Sequence, residues 1–303
     1  MTQEKKDYLH LHFIVLVWGF TAILGLLIDM PSVEVVFFRT LIAAAGLFVL
    51  LKIWRKEIKL GSRRDLLIIL GTGTLIAAHW ILFFLSARIS NVSVCLAGMA
   101  TCSLWTSIIE PISQKRKVKG FEVVLSVIAF AGIGIIFNVE FDYLSGLLVA
   151  VLSAFLASLF TVINGQLTKR HDPYVITYYE MIGACISIAL FFPIYRWFFV
   201  DSIILNPTSL DLFYLAVLAI VCTVYAYSIS VELMKRMSAF SINLVVNLEP
   251  VYGIILALII FGASEEMSPG FYGGTFLILI SVLLYPLLNK RSKKKALSTD
   301  IIR

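Results

Sequence analysis

Charge is scarce in this chain. Only 15% of its 303 residues are Asp, Glu, Lys or Arg, and 60% are apolar, giving a mean hydropathy of +0.94. An ordinary soluble domain carries about 25% charged residues and about 45–50% apolar ones. A soluble particle of 33.9 kDa cannot hide this much apolar surface without leaving large exposed patches. Soluble folds and disordered chains are thereby excluded. Cysteine is also sparse. Cys95, Cys102, Cys185 and Cys222 each lie in an apolar run and form no CxxC or Cys/His cluster. That excludes a disulfide scaffold and leaves four small buried hydrophobes. There is no GxxxxGK[ST], no HExxH, no nucleophile elbow and no metal-spaced cluster. The loops are too short for an ATPase, which argues against primary pumping by this chain, and a pore ringed by selectivity groups has no support.

What is present is a series of long apolar runs. Crossing the hydrocarbon core takes about 20 residues of helix, and ten such spans are predicted at 9–28, 33–53, 65–86, 92–112, 120–138, 144–167, 174–199, 210–232, 239–261 and 271–288. Short polar breaks separate them, among them DMPS at 29–32, ARISN at 87–91 and TKRHDP at 168–173. The first run is longer than a signal-peptide core and lacks a small-residue cleavage site, so it is kept as a mature helix.

The basic residues set the direction. Of the 25 lysines and arginines, all but Arg39, Arg88 and Arg196 fall in segments on one side when the N-terminus is placed inside. The opposite loops carry Asp29, Glu140, Asp142, Asp201, Glu265 and Glu266. Positive charge favours the cytoplasmic side, so both termini are expected there. The net charge of +6 is then a topology signal, and no nucleic-acid partner is expected.

Ten spans divide into five and five. FFRTLIAA at 37–44 resembles YYEMIGAC at 178–185, and ARISNVSV at 87–94 resembles KRMSAFSI at 235–242. KGFEVV and PGFYGG enter the last helix of each half in the same way. Because five is odd, the second half enters from the other side. The fold expected is an all-α polytopic membrane protein of ten transmembrane helices in two inverted-topology five-helix repeats, 1–138 and 139–290, followed by a basic cytoplasmic tail at 291–303. Inverted repeats are a common ground plan of alternating-access transporters.

VWGFTAILG, FFRTLIAAAGLFVL, ARISNVSVCLAG, LEPVYGIILALIIFGASEEMSPGFYGG and the polybasic tail occur in this order. Over essentially its whole length the chain resembles the EamA-type branch of the drug/metabolite transporter superfamily. The resemblance implies that helices 1–4 and 6–9 surround a central cavity, with 5 and 10 peripheral. It also implies export or exchange of amino acids and other small metabolites across a bacterial cell (inner) membrane. No motif names the substrate.

Charges within a span usually face protein or water, and they make a short set of candidates. Glu249 falls about 15 Å into span nine, near the midplane. Pro250 follows it and should kink or open the helix, exposing carbonyls beside a carboxylate. The pair suits a substrate ammonium, a hydroxyl-rich ligand or a coupling proton, or else a structural kink. Asn243 and Asn247 share one helix face and serve either recognition or helix–helix glue, with glue favoured. Arg39 in span two would attract a carboxylate, lock a neighbouring helix or snorkel to the headgroups. Glu180 is its counterpart in span seven, a candidate inner gate or protonatable coupling group. A gap of about 12 Å along the membrane normal separates the two, so direct pairing is not expected. His79 can relay protons or simply donate to a carbonyl. Trp80, Trp18, Tyr178, Tyr179, Tyr225 and Tyr227 are aromatic with polar handles, and only those turned inward would shape a pocket. Glu110-Pro111 reads as an interface residue and helix stop.

The function expected is secondary transport of small metabolites, amino acids or related compounds, by alternating access. A lipid or lipid-linked flippase is the alternative, and an intramembrane enzyme using Glu249 and His79 as acid and base stands behind it. The expected partners are a small-molecule substrate and the lipid bilayer. No cofactor and no partner protein is required, coupling to a proton gradient is open, and a homo-oligomer is compatible with the sequence.

Overall fold

A computed structural model describes residues 2–115, 120–139 and 141–300, so Arg116, Lys117, Lys119, Glu140 and Arg303 lie outside the described residues. The described residues fold into helices alone: α1 (Gln3–Trp18), α2 (Thr21–Leu27), α3 (Ser32–Ile53), α4 (Arg63–Ile89), α5 (Val92–Met99), α6 (Cys102–Ser113) and α7 (Gly120–Val139). They continue as α8 (Leu144–Leu167), α9 (Pro173–Phe198), α10 (Ser209–Ala216), a π-helical stretch (Val217–Tyr225), α11 (Ala226–Leu233), α12 (Ala239–Val246), α13 (Glu249–Phe261) and α14 (Pro269–Asp300).

Eight stretches are long and apolar enough to cross a membrane, several of them built from two helices in line: Gln3–Leu27, Ser32–Ile53, Arg63–Ile89, Val92–Ser113, Phe141–Leu167, Pro173–Phe198, Ser209–Leu233 and Ala239–Glu265. Two shorter apolar segments, Val127–Ile136 and Pro269–Ser281, lie in α7 and α14. The chain is an all-α polytopic membrane protein. The first helix starts at Gln3 rather than at residue 9, and the last continues through the basic segment to Asp300.

The polar breaks read from the sequence supply the caps. Ser62, Asn91 and Ser238 each accept a backbone N–H from the residue three positions on, satisfying one orphan donor of α4, α5 and α12. Asp172 does the same for Tyr174 at the start of α9, and Thr208 with Asp211 forms a reciprocal capping box on α10. Burial runs opposite to a soluble protein. Glu34, Arg39, Thr40, Ser153, Asn164 and Glu180 are inside, whereas Leu67, Leu190, Phe213 and Ile259 are exposed. Lipid accepts apolar side chains at no cost, so the bundle keeps its polar groups for itself. Trp54 and Trp197, read as belt residues, are both exposed.

Small residues let the helices touch. A Cβ on Gly183 of α9 would collide with the carbonyl oxygen of Leu70 in α4, and one on Gly73 with that of Glu180. α7 and α14 pack on each other in the same manner, with Gly132 and Gly274 each standing 2.6–2.7 Å, by such a Cβ, from the other's carbonyl.

Both ends of the bundle are tied. On the face of the basic loops, Arg236 grips Asp7 through two nitrogens at 2.7 and 2.9 Å, Asp65 holds His171 at 2.7 Å and Arg170 at 3.2 Å, and Lys56 pairs with Asp172 at 2.6 Å. On the opposite face, Arg88 donates to the carbonyls of Gly25 and Ile28. Glu265, read from sequence as a loop acid, is buried and accepts from the amides of Val92 and Ser93 and from the Ser93 hydroxyl, capping α5 from another span.

Replacing Gly183 by leucine is expected to cost at least the 1–3 kcal/mol typical of overpacking, because the obstructing atom is backbone. Gly71→Leu, at a position with open space around it, is expected to leave thermal unfolding in detergent unchanged. Equal melting temperatures for the two variants would contradict the packing.

Candidate functional site

The site begins with an arginine where lipid would be. Arg39 sits on the second turn of α3 and is buried. Its guanidinium carbon lies 3.7 Å from the centroid of Trp80 and 5.9 Å from that of Phe84, so two aromatic faces receive the charge. Its Nε donates to the Thr223 hydroxyl at 2.9 Å. Thr223 belongs to the π-helical stretch and itself donates to the carbonyl of Leu218. Among the described residues the two terminal nitrogens of Arg39 make no hydrogen bond. The arginine is held by its stem side, with its fork left open.

Glu249 is the first residue of α13. The helix breaks at Asn247–Leu248, in the turn preceding Pro250, where the sequence placed the opening. Pro250 stands in the first turn of α13, where its missing amide costs nothing. The carboxylate is buried at the positive end of a helix dipole, and among the described residues it makes no hydrogen bond and no ion pair.

Arg39 and Glu249 line the same cavity, of about 80 Å³. Each lies within the other's field, yet they form no ion pair. Aromatic walls come from Trp18, Trp80, Phe83, Phe160 and Tyr227. A cavity this size holds several waters or a small solute. Its edges coincide with the irregular backbone. Trp18 and Thr21 flank the α1–α2 break, Met99 and Cys102 the α5–α6 break, and Val246 and Glu249 the α12–α13 break, while Cys222 lies in the π-helical stretch. The indole of Trp18 donates to the Cys222 carbonyl at 3.0 Å.

The other candidates divide. His79 lines the cavity, and its Nδ1 reaches the carbonyl of Ser153 at 3.0 Å while the Ser153 hydroxyl donates to the His79 carbonyl. The Ser153 hydroxyl also stands 2.8 Å from Nδ1, so the backbone and side chain of Ser153 together hold the imidazole in place. Trp80 is the platform beneath Arg39. Asn243 lines the cavity and donates to Thr106, and Asn247 donates to Ser103, both at 2.7 Å, so this face of α12 is bonded to α6. Glu180 lies behind the wall, linked to it by Tyr227, whose hydroxyl donates to Oε2 at 3.1 Å. It does not meet Arg39. Tyr179 and Tyr225 are not among the lining residues. Tyr179 meets Tyr178 edge to face, and Tyr225 is 40% exposed in a T-shaped contact with Phe13. Glu110, read as an interface residue, is buried near the end of α6.

The EamA-like transporter family model matches residues 8–138 and 144–286. The chain belongs to the EamA-like transporter family. It is a membrane-embedded secondary transporter of small molecules, and members of this family move solutes rather than transform them. A solved structure titled "Crystal structure of protein" is 14% identical, covers 95% of this chain and 98% of its own, and superposes with a TM-score of 0.69. At that identity the likeness speaks for the fold alone. A search of the curated proteins gives no match.

In this EamA-family carrier the cavity draws on seven of the eight long spans. The exception is α9, which the expected ring included and which reaches the cavity only through Tyr227. Sequence reading missed Thr223 and Ser153, since a lone hydroxyl in an apolar run usually bonds its own helix. It also missed the π-helical stretch, for which VLAIVCTVY offers no local signal.

The Asn243–Thr106 contact provides a check on the glue reading. A double-mutant cycle with Asn243→Ala and Thr106→Ala is expected to return a coupling of about 0.6 kcal/mol, the average for interhelical hydrogen bonds in membranes. Zero coupling in thermal unfolding would remove the contact from the packing account.

Proposed function

We propose that this carrier exports amino acids or closely related zwitterionic metabolites by alternating access, with Arg39 holding the anionic group and Glu249 the cationic one. The observation that carries this reading is the pair of opposite charges buried on one cavity without bonding each other. Unpaired buried charges are expensive, and a ligand bearing both signs satisfies both at once. The aromatic walls suit an apolar side chain between them. Among the described residues His79 and Glu249 share no hydrogen bond, so the enzyme alternative gains no support.

The mechanism rests on a ten-helix plan of two inverted halves, 1–138 and 139–290. Two features support it beyond the sequence matches. α5 and α12 have the same length, and each is followed by a two-residue break, at 100–101 and 247–248, and a second helix. The family match likewise falls in two stretches. The basic loops favour cytoplasmic termini, and the family resemblance favours a bacterial cell membrane. Export is the direction the family resemblance favours.

Purified protein in liposomes preloaded with amino acids and small metabolites, followed by mass spectrometry of efflux, tests the proposal. Selective loss of a zwitterionic class is expected. Glu249→Gln and Arg39→Gln should each slow it about tenfold or more, equivalent to 1.4 kcal/mol of lost binding. Efflux indifferent to both substitutions, or no selective efflux from correctly inserted protein, would overturn it.

A further inference from the structure

Three side chains behind the cavity wall form a second polar cluster. Glu180 of α9, Tyr227 of α11 and Asn164 of α8 meet where their spans converge. Glu180 and Asn164 are both fully buried. The Asn164 amide donates to the Tyr227 hydroxyl at 2.9 Å, and that hydroxyl donates to Glu180 Oε2 at 3.1 Å. Two acceptors in the cluster are left over: Glu180 Oε1 and Asn164 Oδ1 are buried without a hydrogen-bond partner. The Asn164 amide also lies against the Glu180 carboxyl.

No cation balances this carboxylate. Among the described residues, no charged side chain pairs with Glu180. On the elements packed around it, α11 presents Tyr227, α8 presents the neutral Asn164, and α9 itself carries Tyr179 and Tyr178 one and two positions away. α3 turns Arg39 toward Trp80 and Thr223, and α4 turns His79 toward Ser153. Asp65 and Glu232 are engaged near the basic face, with His171 and with Tyr174. A fully buried carboxylate whose partners are the neutral Tyr227 and Asn164, with no counter-charge among the described residues, carries a desolvation penalty of several kcal/mol. Two buried orphan acceptors add to it.

One proton removes both difficulties. On Oε1 it neutralises the charge and turns an orphan acceptor into a donor, beside an amide whose own oxygen lacks one. We propose that Glu180, Asn164 and Tyr227 form a proton-binding site, and that the carrier couples solute movement to protonation of Glu180. The step is Glu180 carboxylate plus one proton from cavity water giving the carboxylic acid, with Tyr227 unchanged in net protonation. Tyr227 is the connection, because it both lines the cavity and bonds to Glu180. Sodium fits less well. The cluster offers two free oxygens, whereas a hard cation expects about six. Coupling rests on the carrier reading above, but proton binding does not.

The first experiment therefore needs no solute. In the full-length protein in lipid, infrared spectra at neutral pH are expected to show a deuteration-sensitive carbonyl band of a protonated carboxylic acid. The band should vanish in Glu180→Gln, persist in Glu249→Gln, and shift in Tyr227→Phe, which loses the donor to Oε2. A Glu180→Gln spectrum identical to the native one overturns the site, as does sodium-dependent stabilisation at fixed pH that Glu180→Gln abolishes. Coupling is then read with the solute class found in efflux. Glu180→Gln is expected to keep solute exchange within about twofold while losing solute-driven proton flux. Proton flux retained in Glu180→Gln overturns the coupling, whereas failure of all efflux in the native protein strikes the carrier reading and leaves the infrared result standing.

Discussion

Inside a bilayer a polar group has only the protein itself to bond to, and the rest of this structure follows from that constraint. Each backbone amide and carbonyl in hydrocarbon must find a partner, which restricts lipid-facing chain to regular helix. Irregular backbone is tolerated only where protein or a wet cavity covers it. Here the three helix breaks and the π-helical stretch all border one cavity. The carbonyl of Cys222 goes to Trp18, and Thr223, in the same stretch, carries Arg39. The defects that would be ruinous against lipid are gathered at the one place where they can be used.

Buried charge obeys the same accounting and falls into two groups. Near the two faces the charges are matched: Asp7 with Arg236, Asp65 with Arg170 and His171, Glu265 with the amide end of α5. The ion pairs among these, partly open to water, are worth about 0–1 kcal/mol each, whereas the Glu265 cap is buried. Pairs this weak can be broken and remade without a large barrier. In the middle the charges are unmatched. Arg39, Glu249 and Glu180 are held by packing and neutral polar groups, and among the described residues none of them forms an ion pair. Stable assembly would favour apolar replacements at these positions, so their presence points to ligands that come and go.

The polar clusters also share their supports. Trp80 carries Arg39 on its face and meets the edge of Tyr227. Tyr227 in turn contacts Phe160, which packs on His79. The cavity wall and the Glu180 carboxyl behind it are therefore joined through one continuous set of aromatic contacts.

Much of this was legible in the chain itself. Apolar runs of about 20 residues fixed which segments are helical, and the polar breaks between them named the caps, because a helix end needs donors and acceptors from side chains close by in sequence. The ionisable residues within spans could be picked out by cost alone, which is why Arg39, Glu180 and Glu249 stood out before any fold was known. What each of them faces was decided only by tertiary structure. That Arg39 lies on Trp80, that Glu180 sits behind Tyr227 rather than in the cavity, and that Tyr225 turns to the outside depend on helix rotation. Rotation is set by small residues such as Gly73 and Gly183 meeting across spans. Hydropathy counts how much of a helix is apolar, but only contact with the neighbouring helix decides which way its few polar side chains point.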